Sequence, residues 1–339
     1  MKKSTISDVA REANVSKATV SRVLNNAPNV ADELRERVME AIQKLDYQPS
    51  RAARVLKMNL QDVIGFLIPS ITDSIFGAIL QSAQDLAYEN KIGILAYSTA
   101  DNLKRQQMYL DNLQAEQVAG IILVPAPDTN PEVLSSVQEQ GIPIVLLDRK
   151  LEKFDGDCIA SDNVKAASSA VNHLIENGYT KIATIAGSQN VSSGIERLNG
   201  YRLALEQAKL PINPDWIKFG NFTEKDSYIA LKSLIEQDNR PDALFIANDA
   251  MTIGALRAIR ELDIDIPNEL AIIGFDELSL ANLLQPTLTT IEQATESIGQ
   301  ESLRMLFDRI QRPERIARII QFPTRINVRE SSRPLHLKT

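Results

Sequence analysis

Two sets of residues in this chain carry chemistry. The first is compact: in "SKATVSRVLN", Ser16 to Asn25, a helix at 100° per residue puts Lys17, Ser21, Asn25, Ala18 and Arg22 within about 140° of one another and Val20, Val23 and Leu24 on the far side. Such a face suits DNA: Arg22 can donate two hydrogen bonds to a guanine edge, Lys17 can reach a base or a phosphate, and Ala18 is small enough to lie against a thymine methyl. Ser16, Thr19, Ser21 and Asn25 suit phosphate oxygens, as does Thr5 upstream, and these contacts position a protein without reading sequence. The second set is scattered: Asp73 and Phe76 in "PSITDSIFG", Asp148 and Arg149 in "LLDRK", Arg197 in "GIERLNGY", Phe222 in "GNFTEKD", Asn248 and Asp249 in "IANDAM", Asp276 in "GFDELS" and Gln293 in "LTTIEQ". Carboxylates and amides beside arginines serve both hydrogen-bonding roles of a hydroxyl, and an aromatic ring covers a sugar's C–H face, so this chemistry fits a neutral polyol. Taken singly, each of these residues reads equally as a strand-end cap or a salt bridge.

The elements that must position these residues follow from pattern. Three short helices are predicted at the start: Ile6 to Ala13 after Thr5, Lys17 to Leu24 after Ser16, and Asp32 to Leu45 after Ala31. Thr5 with Asp8 and Ser16 with Thr19 have the spacing of helix caps, whereas Ala31 cannot cap. Val9, Ala10, Ala13, Val38, Ile42 and Leu45 can cover the apolar side of the second helix, which makes a helix-turn-helix braced by a third helix. Pro49 breaks the pattern, and "SRAARVLKMN" reads as a short helix beyond it. From residue 60 the apolar runs "VIGFLI", "IGILAY", "GIILV" and "IPIVLLD" alternate with helices over 76–90, 102–117 and 131–140, and "KIATIAG", "DALFIAN" and "LAIIGFD" alternate with helices near 195–209, 224–237 and 250–262. That is an α/β architecture of two doubly wound, parallel-sheet lobes, with the scattered polar residues at the carboxyl ends of successive strands, where ligands of open sheets bind.

Composition narrows the function. The 339 residues allow two or three domains, and 44% hydrophobic with 24% charged residues is an ordinary globular balance. No apolar run nears the roughly 18 residues of a membrane span, and no apolar stretch follows the basic start, so a cytoplasmic protein is expected. Net charge is −7, but residues 1–58 hold 11 Lys and Arg against 7 Asp and Glu, while the rest holds 26 against 37. A basic head on an acidic body points to a polyanion at one end only. Cys158 is single and reads as a buried thiol. Neither a phosphate loop nor a dinucleotide glycine pattern is present, and His173 and His336 lack a nucleophile or metal partner, so neither an enzyme nor any cofactor or metal is expected.

The stretch "TISDVAREANVSKATVSRVLN", followed by "VADELRERVMEAIQKLDYQPSRAARVL", closely resembles the DNA-binding head and hinge of the lactose-repressor (LacI/GalR) family. Residues from about 61 to 330 resemble that family's effector domain and, through it, periplasmic sugar-binding proteins. The resemblance implies a helix-turn-helix domain over 1–48, a hinge over 49–60, one lobe from 61–160 with 293–322, and another from 161–292 with 323–331. It implies that the hinge becomes helical on the operator, that Leu56 wedges a base step from the minor groove, and that Arg54 and Lys57 lie near phosphates or the groove. Asp148, Arg149, Arg197, Phe222, Asn248, Asp276 and Gln293 match the family's ribose-type contacts most closely, with Asp73 and Phe76 beside them.

The function so implied is a repressor of a sugar-utilisation operon that binds double-stranded operator DNA as a homodimer and is controlled by a small sugar, ribose before other monosaccharides or a sugar phosphate. A global catabolite regulator with a phosphorylated carrier protein as corepressor is the alternative. Such a partner docks through basic side chains on the first helix of the nearer lobe, and residues 76–90 contain no Lys or Arg. A sugar-binding protein without DNA function is opposed by the basic head. The tail "ESSRPLHLKT" lacks leucine heptads, which favours a dimer over a tetramer.

Overall fold

A computed structural model describes residues 6–24, 31–45 and 63–334. The chain divides into two compact units, Met1–Gln61 and Asp62–Thr339.

In the first unit, helices α1 (Ile6–Glu12), α2 (Lys17–Leu24) and α3 (Asp32–Lys44) enclose a small core of Val9, Ala10, Ala13, Val20, Val23, Val38 and Ala41. The turn between α1 and α2 passes through Asn14 in the left-handed region, φ 50°, a conformation that a short amide side chain tolerates. Arg37 of α3 donates to the carbonyl oxygens of Ala13 (2.7 Å) and Asn14 (3.3 Å), which satisfies acceptors that the end of α1 leaves open. At the next turn the Ser16 hydroxyl accepts from the Thr19 N–H at 3.0 Å and so caps α2.

The second unit contains two six-stranded sheets. The first runs β11-β5-β4-β3-β1-β2, where β1 is Val63–Ile68, β2 Gly93–Ser98, β3 Ile121–Leu123, β4 Ile144–Leu147, β5 Asp157–Ser161 and β11 Ile319–Phe322. The second runs β12-β10-β9-β8-β6-β7, where β6 is Ile182–Ala186, β7 Ile217–Phe219, β8 Ala243–Ile246, β9 Ala271–Phe275, β10 Thr289–Gln293 and β12 Thr324–Asn327. Every pairing is parallel except β10 with β12. Helices on the sheet faces bury both sides of the inner strands, and that is why β3, β4, β8 and β9 are apolar or small at nearly every position.

The chain passes between the sheets three times: after β5 into a helix over Asn163–Glu176, after β10 into a helix over Thr295–Gln311, and between β11 and β12. The last of these helices returns to the first sheet and packs on the helix Ser74–Glu89. A Cβ on Gly299 would lie 2.4 Å from the Ile79 carbonyl oxygen, so the two backbones meet only because residue 299 has no side chain. Asp162 caps the Asn163 helix by accepting from the Lys165 N–H at 3.2 Å, which fixes the first crossing.

Candidate functional site

On α2 the split seen in the sequence is realised: Val20 and Val23 are buried, Lys17 and Arg22 are exposed. Ser16 is exposed and Thr19 half-buried, and their hydroxyls lie 2.9 Å apart. Part of the Ser16 hydroxyl's capacity is therefore spent on capping. Ala18 and Ser21 lie within the helix. Thr5, Asn25, Arg54, Leu56 and Lys57 lie outside the described residues, as does all of the 49–60 hinge.

The second unit gathers all ten of the scattered residues around one cavity. Asp73, Phe76, Asp148, Arg149, Arg197, Phe222, Asn248, Asp249, Asp276 and Gln293 line about 470 Å³ of space, part of it continuous with solvent. Pro69, Ile75, Asp101 and Ser193 complete the wall. Strand order explains the convergence: these residues follow β1, β2, β4, β6, β7, β8 and β9 or end β10, at the carboxyl edges of both sheets.

Both arginines are buried and held by the protein. Arg149, 4% exposed, donates from Nη1 and Nη2 to the two oxygens of Asp101 at 2.6 and 2.9 Å, and from Nη1 to the Pro125 carbonyl at 3.0 Å. Its Nε is buried without a hydrogen-bond partner, 3.8 Å from Asp148. Arg197 donates from Nε to Asn163 (2.9 Å) and from Nη1 to the Ala247 carbonyl (2.6 Å), and its guanidinium lies 3.7 Å from the centre of the Phe275 ring. Asp148 and Asp276 approach Arg197 only to 3.9 and 3.8 Å. Those separations exceed hydrogen-bond length, so the carboxylates attract the arginine without spending lone pairs on it; Asp148 accepts instead from the Ser193 hydroxyl at 3.3 Å.

The acceptors are held equally firmly. Gln293 donates from Nε2 to Asp276 at 2.5 Å and accepts from the Ser161 hydroxyl. Asn248 accepts from the Met251 N–H at 2.9 Å, capping the helix Asp249–Glu261, and its amide nitrogen has no partner among the described residues. Asp148 (φ 63°), Asp276 (φ 73°) and Phe222 (φ 61°) all adopt left-handed backbone conformations, unfavourable for a side chain as large as phenylalanine. Phe222 fits because residue 187 is glycine: a Cβ there would lie 2.1 Å from the Phe222 Cζ. Burial raises the Asp276 carboxyl to about 7 against the lowering effect of Arg197, with the Asp249 charge adding to the rise. Burial, then the charge of Asp249, lifts Asp73 to about 6.

Asp101 and Ser193 went unread in the sequence. Asp101 sits three residues past β2 at φ 52°, and only the three-dimensional pairing with Arg149 marks it. Cys158 is buried and its thiol is pushed up to about 12 by burial. His173 is half-buried, within 2.9 Å of the Ser332 hydroxyl and the Asn177 amide, so it ties its helix to the turn Glu330–Ser332; burial lowers its pKa. Among the described residues no His, Cys, Asp and Glu cluster suits a metal, and no helix is long and apolar enough to cross a membrane.

Residues 5–50 match the family described as bacterial regulatory proteins, lacI family, and residues 171–332 match the periplasmic binding protein-like domain. The chain is 32% identical over 331 residues to the HTH-type transcriptional repressor PurR of Histophilus somni (strain 2336), covering 98% of this chain and 99% of that one. Among solved structures it resembles the lac repressor dimer bound to operator and the anti-inducer ONPF (TM-score 0.86, 25% identity, 98% of this chain and 100% of that one). It also resembles a LacI family transcriptional regulator from Enterococcus faecium with bound ribose (TM-score 0.72, 26% identity, 80% of this chain and 99% of that one).

Proposed function

The chain belongs to the lacI family of bacterial regulatory proteins and is thus a DNA-binding transcription regulator rather than an enzyme; from that premise we propose that it represses a sugar-utilisation operon, and that a neutral, ribose-like monosaccharide in the cleft controls it. The observation that carries the reading is the closed inventory of the cleft: Phe76 and Phe222 as apolar walls, the unpartnered Arg149 Nε and Asn248 amide as donors, and Asp148 and Asp276 as acceptors. A pyranose or furanose ring, with hydroxyls around its edge and C–H faces, offers the donors, acceptors and apolar surface that such a set calls for. The Enterococcus faecium neighbour with bound ribose supports the ligand class.

In this reading two copies bind a roughly palindromic operator in the cytoplasm, one head per half-site. The lac repressor dimer on its operator supports the assembly. Lys17, Ala18 and Arg22 read bases; Ser16, Thr19, Ser21, Asn25 and Thr5 contact phosphates; Leu56, with Arg54 and Lys57, bends the duplex from the 49–60 hinge. The lobes are 61–160 with 293–322 and 161–292 with 323–331, and the sugar acts through its different affinity for their two arrangements. A phosphorylated carrier protein as corepressor is disfavoured by the helix Ser74–Glu89, which has no basic residue.

Calorimetric titration with ribose, other pentoses and hexoses, with and without operator, tests this. Saturable binding of one of them, weakened by operator, is expected; flat titrations throughout would return the effector to a protein corepressor. Asp276→Ala should abolish the sugar response while operator binding persists, and an unchanged response would remove the cleft assignment.

A further inference from the structure

The helix Ser74–Glu89, called α4 here, begins at the cleft wall, and its N-terminus concentrates partial positive charge that attracts anions. Its own cap residue, Asp73, makes no side-chain capping bond. The bond comes from the opposite lobe instead: Asp249 Oδ2 accepts from the Ser74 N–H at 3.2 Å and from the Ser74 hydroxyl at 2.7 Å. Asp249 Oδ1 accepts from the Ala250 N–H at 2.7 Å, at the start of its own helix. One carboxylate, 4% exposed, thus holds the N-termini of two helices from two lobes.

We propose that Asp249 is the specificity-determining residue that makes this cleft select unphosphorylated ligands, because its carboxylate fills the helix N-terminus that a phosphate would need. This deepens the sugar-effector reading and rests on it. The surrounding charge points the same way. Asp73, Asp101, Asp148, Asp249 and Asp276 line the cavity against two guanidiniums. Arg149 is already paired in bidentate fashion with Asp101, and nearby Lys150 is paired with Glu196 at 2.7 Å. Arg197 is held by Asn163 and the Ala247 carbonyl, with Asp148 and Asp276 at 3.9 and 3.8 Å from it. A phosphate dianion entering here would therefore meet a carboxylate surplus around the one guanidinium that lacks a carboxylate hydrogen bond. A hydroxyl at the same place would find acceptors. Asp249 also joins the lobes, so an anion that displaced it would open the contact that closes the cleft.

The test uses the full-length protein and matched pairs: ribose with ribose 5-phosphate, and glucose with glucose 6-phosphate, by calorimetry. In the pair that binds, the ester should bind at least a hundredfold more weakly than the free sugar. Asp249→Asn, which can still accept from Ser74, should narrow that gap at least tenfold. An ester that binds the wild type within threefold of its parent, or more tightly, overturns the proposal, and this comparison does not depend on how the variant folds. A gap unchanged in a folded Asp249→Asn overturns the role of Asp249.

Inorganic phosphate, followed by thermal unfolding, gives a readout independent of which sugar is right. It should leave the wild type's Tm unmoved at 10 mM and raise that of Asp249→Asn; a shift in both or in neither overturns the proposal. If no sugar binds while phosphate behaves as expected, the sugar reading alone fails.

Discussion

Arg22 and Arg149 are the same residue put to opposite uses. Arg22 stands exposed on a three-helix head whose net charge is positive; Arg149 is buried, clamped by a carboxylate and a carbonyl in a lobe that is acidic overall. A solvated guanidinium on a basic face is available to a polyanion at long range, and its binding is screened by salt. A buried, neutralised one contributes fixed geometry and a single spare N–H, which suits an uncharged ligand that must be oriented. What a positive charge recognises is thus set by what already holds it.

The sharpest way to break this contrast is to remove each arginine in turn. Arg149→Ala strands Asp101 and the Pro125 carbonyl and should cost about 3 kcal/mol of stability in urea unfolding, the scale for breaking a buried pair; a loss under about 0.5 kcal/mol would mean that the pairing does not hold the lobe. Arg22→Ala should leave unfolding unchanged within about 0.5 kcal/mol, yet cost roughly 1 to 3 kcal/mol in operator binding and relax one base position. Equal loss on every DNA sequence would make Arg22 a phosphate contact instead.

Asp276 sharpens the pocket side. Its carboxyl, near 7 in the fold against the ordinary value of 3.8, binds a proton more readily when folded, so it costs stability above pH 7 and that cost is relieved as pH falls toward 4. Between pH 7 and 5.5 the wild type should therefore gain on the order of 2 kcal/mol relative to Asp276→Asn, at about 1.4 kcal/mol per pH unit. Parallel stability curves for the two proteins would show that burial does not hold the proton. The smallest effect belongs to the head: Ser16→Ala removes the α2 cap and should lower stability by about 1 kcal/mol, read from the head's own unfolding transition. No loss there would show that Ser16 serves DNA alone.

The inner strands were readable because burial on both faces leaves unbroken apolar runs, as in "VIGFLI" and "LAIIGFD". β5, "DCIAS", was not, because Asp157 and Ser161 interrupt it; Asp157 is tolerated at full burial only because Arg309 and Arg315 both reach it from 158–152 residues away in sequence. The edge strands β11 and β12 mix exposed and half-buried positions, none fully buried, and carry no comparable run. The cleft residues were legible as strand-end polar groups, but their division of labour was not. Nothing local tells that Arg149 is neutralised by Asp101, or that Asp249 caps a helix 175 residues earlier, since both facts depend on how two sheets face each other.

Gln293 ends β10 in one sheet, two residues before the chain enters the helix that packs on the other; Ser161, its hydrogen-bond partner, ends β5 two residues before another such passage. Two of the three connecting segments are thus stitched together at a wall of the cavity, and the same amide side chain reaches Asp276. A group that competes for that amide acts on two of the chain crossings rather than on the rim of a lobe. One side chain thus ties an occupant of the cavity to the places where the chain itself crosses from sheet to sheet, so a contact made there is shared by both lobes at once.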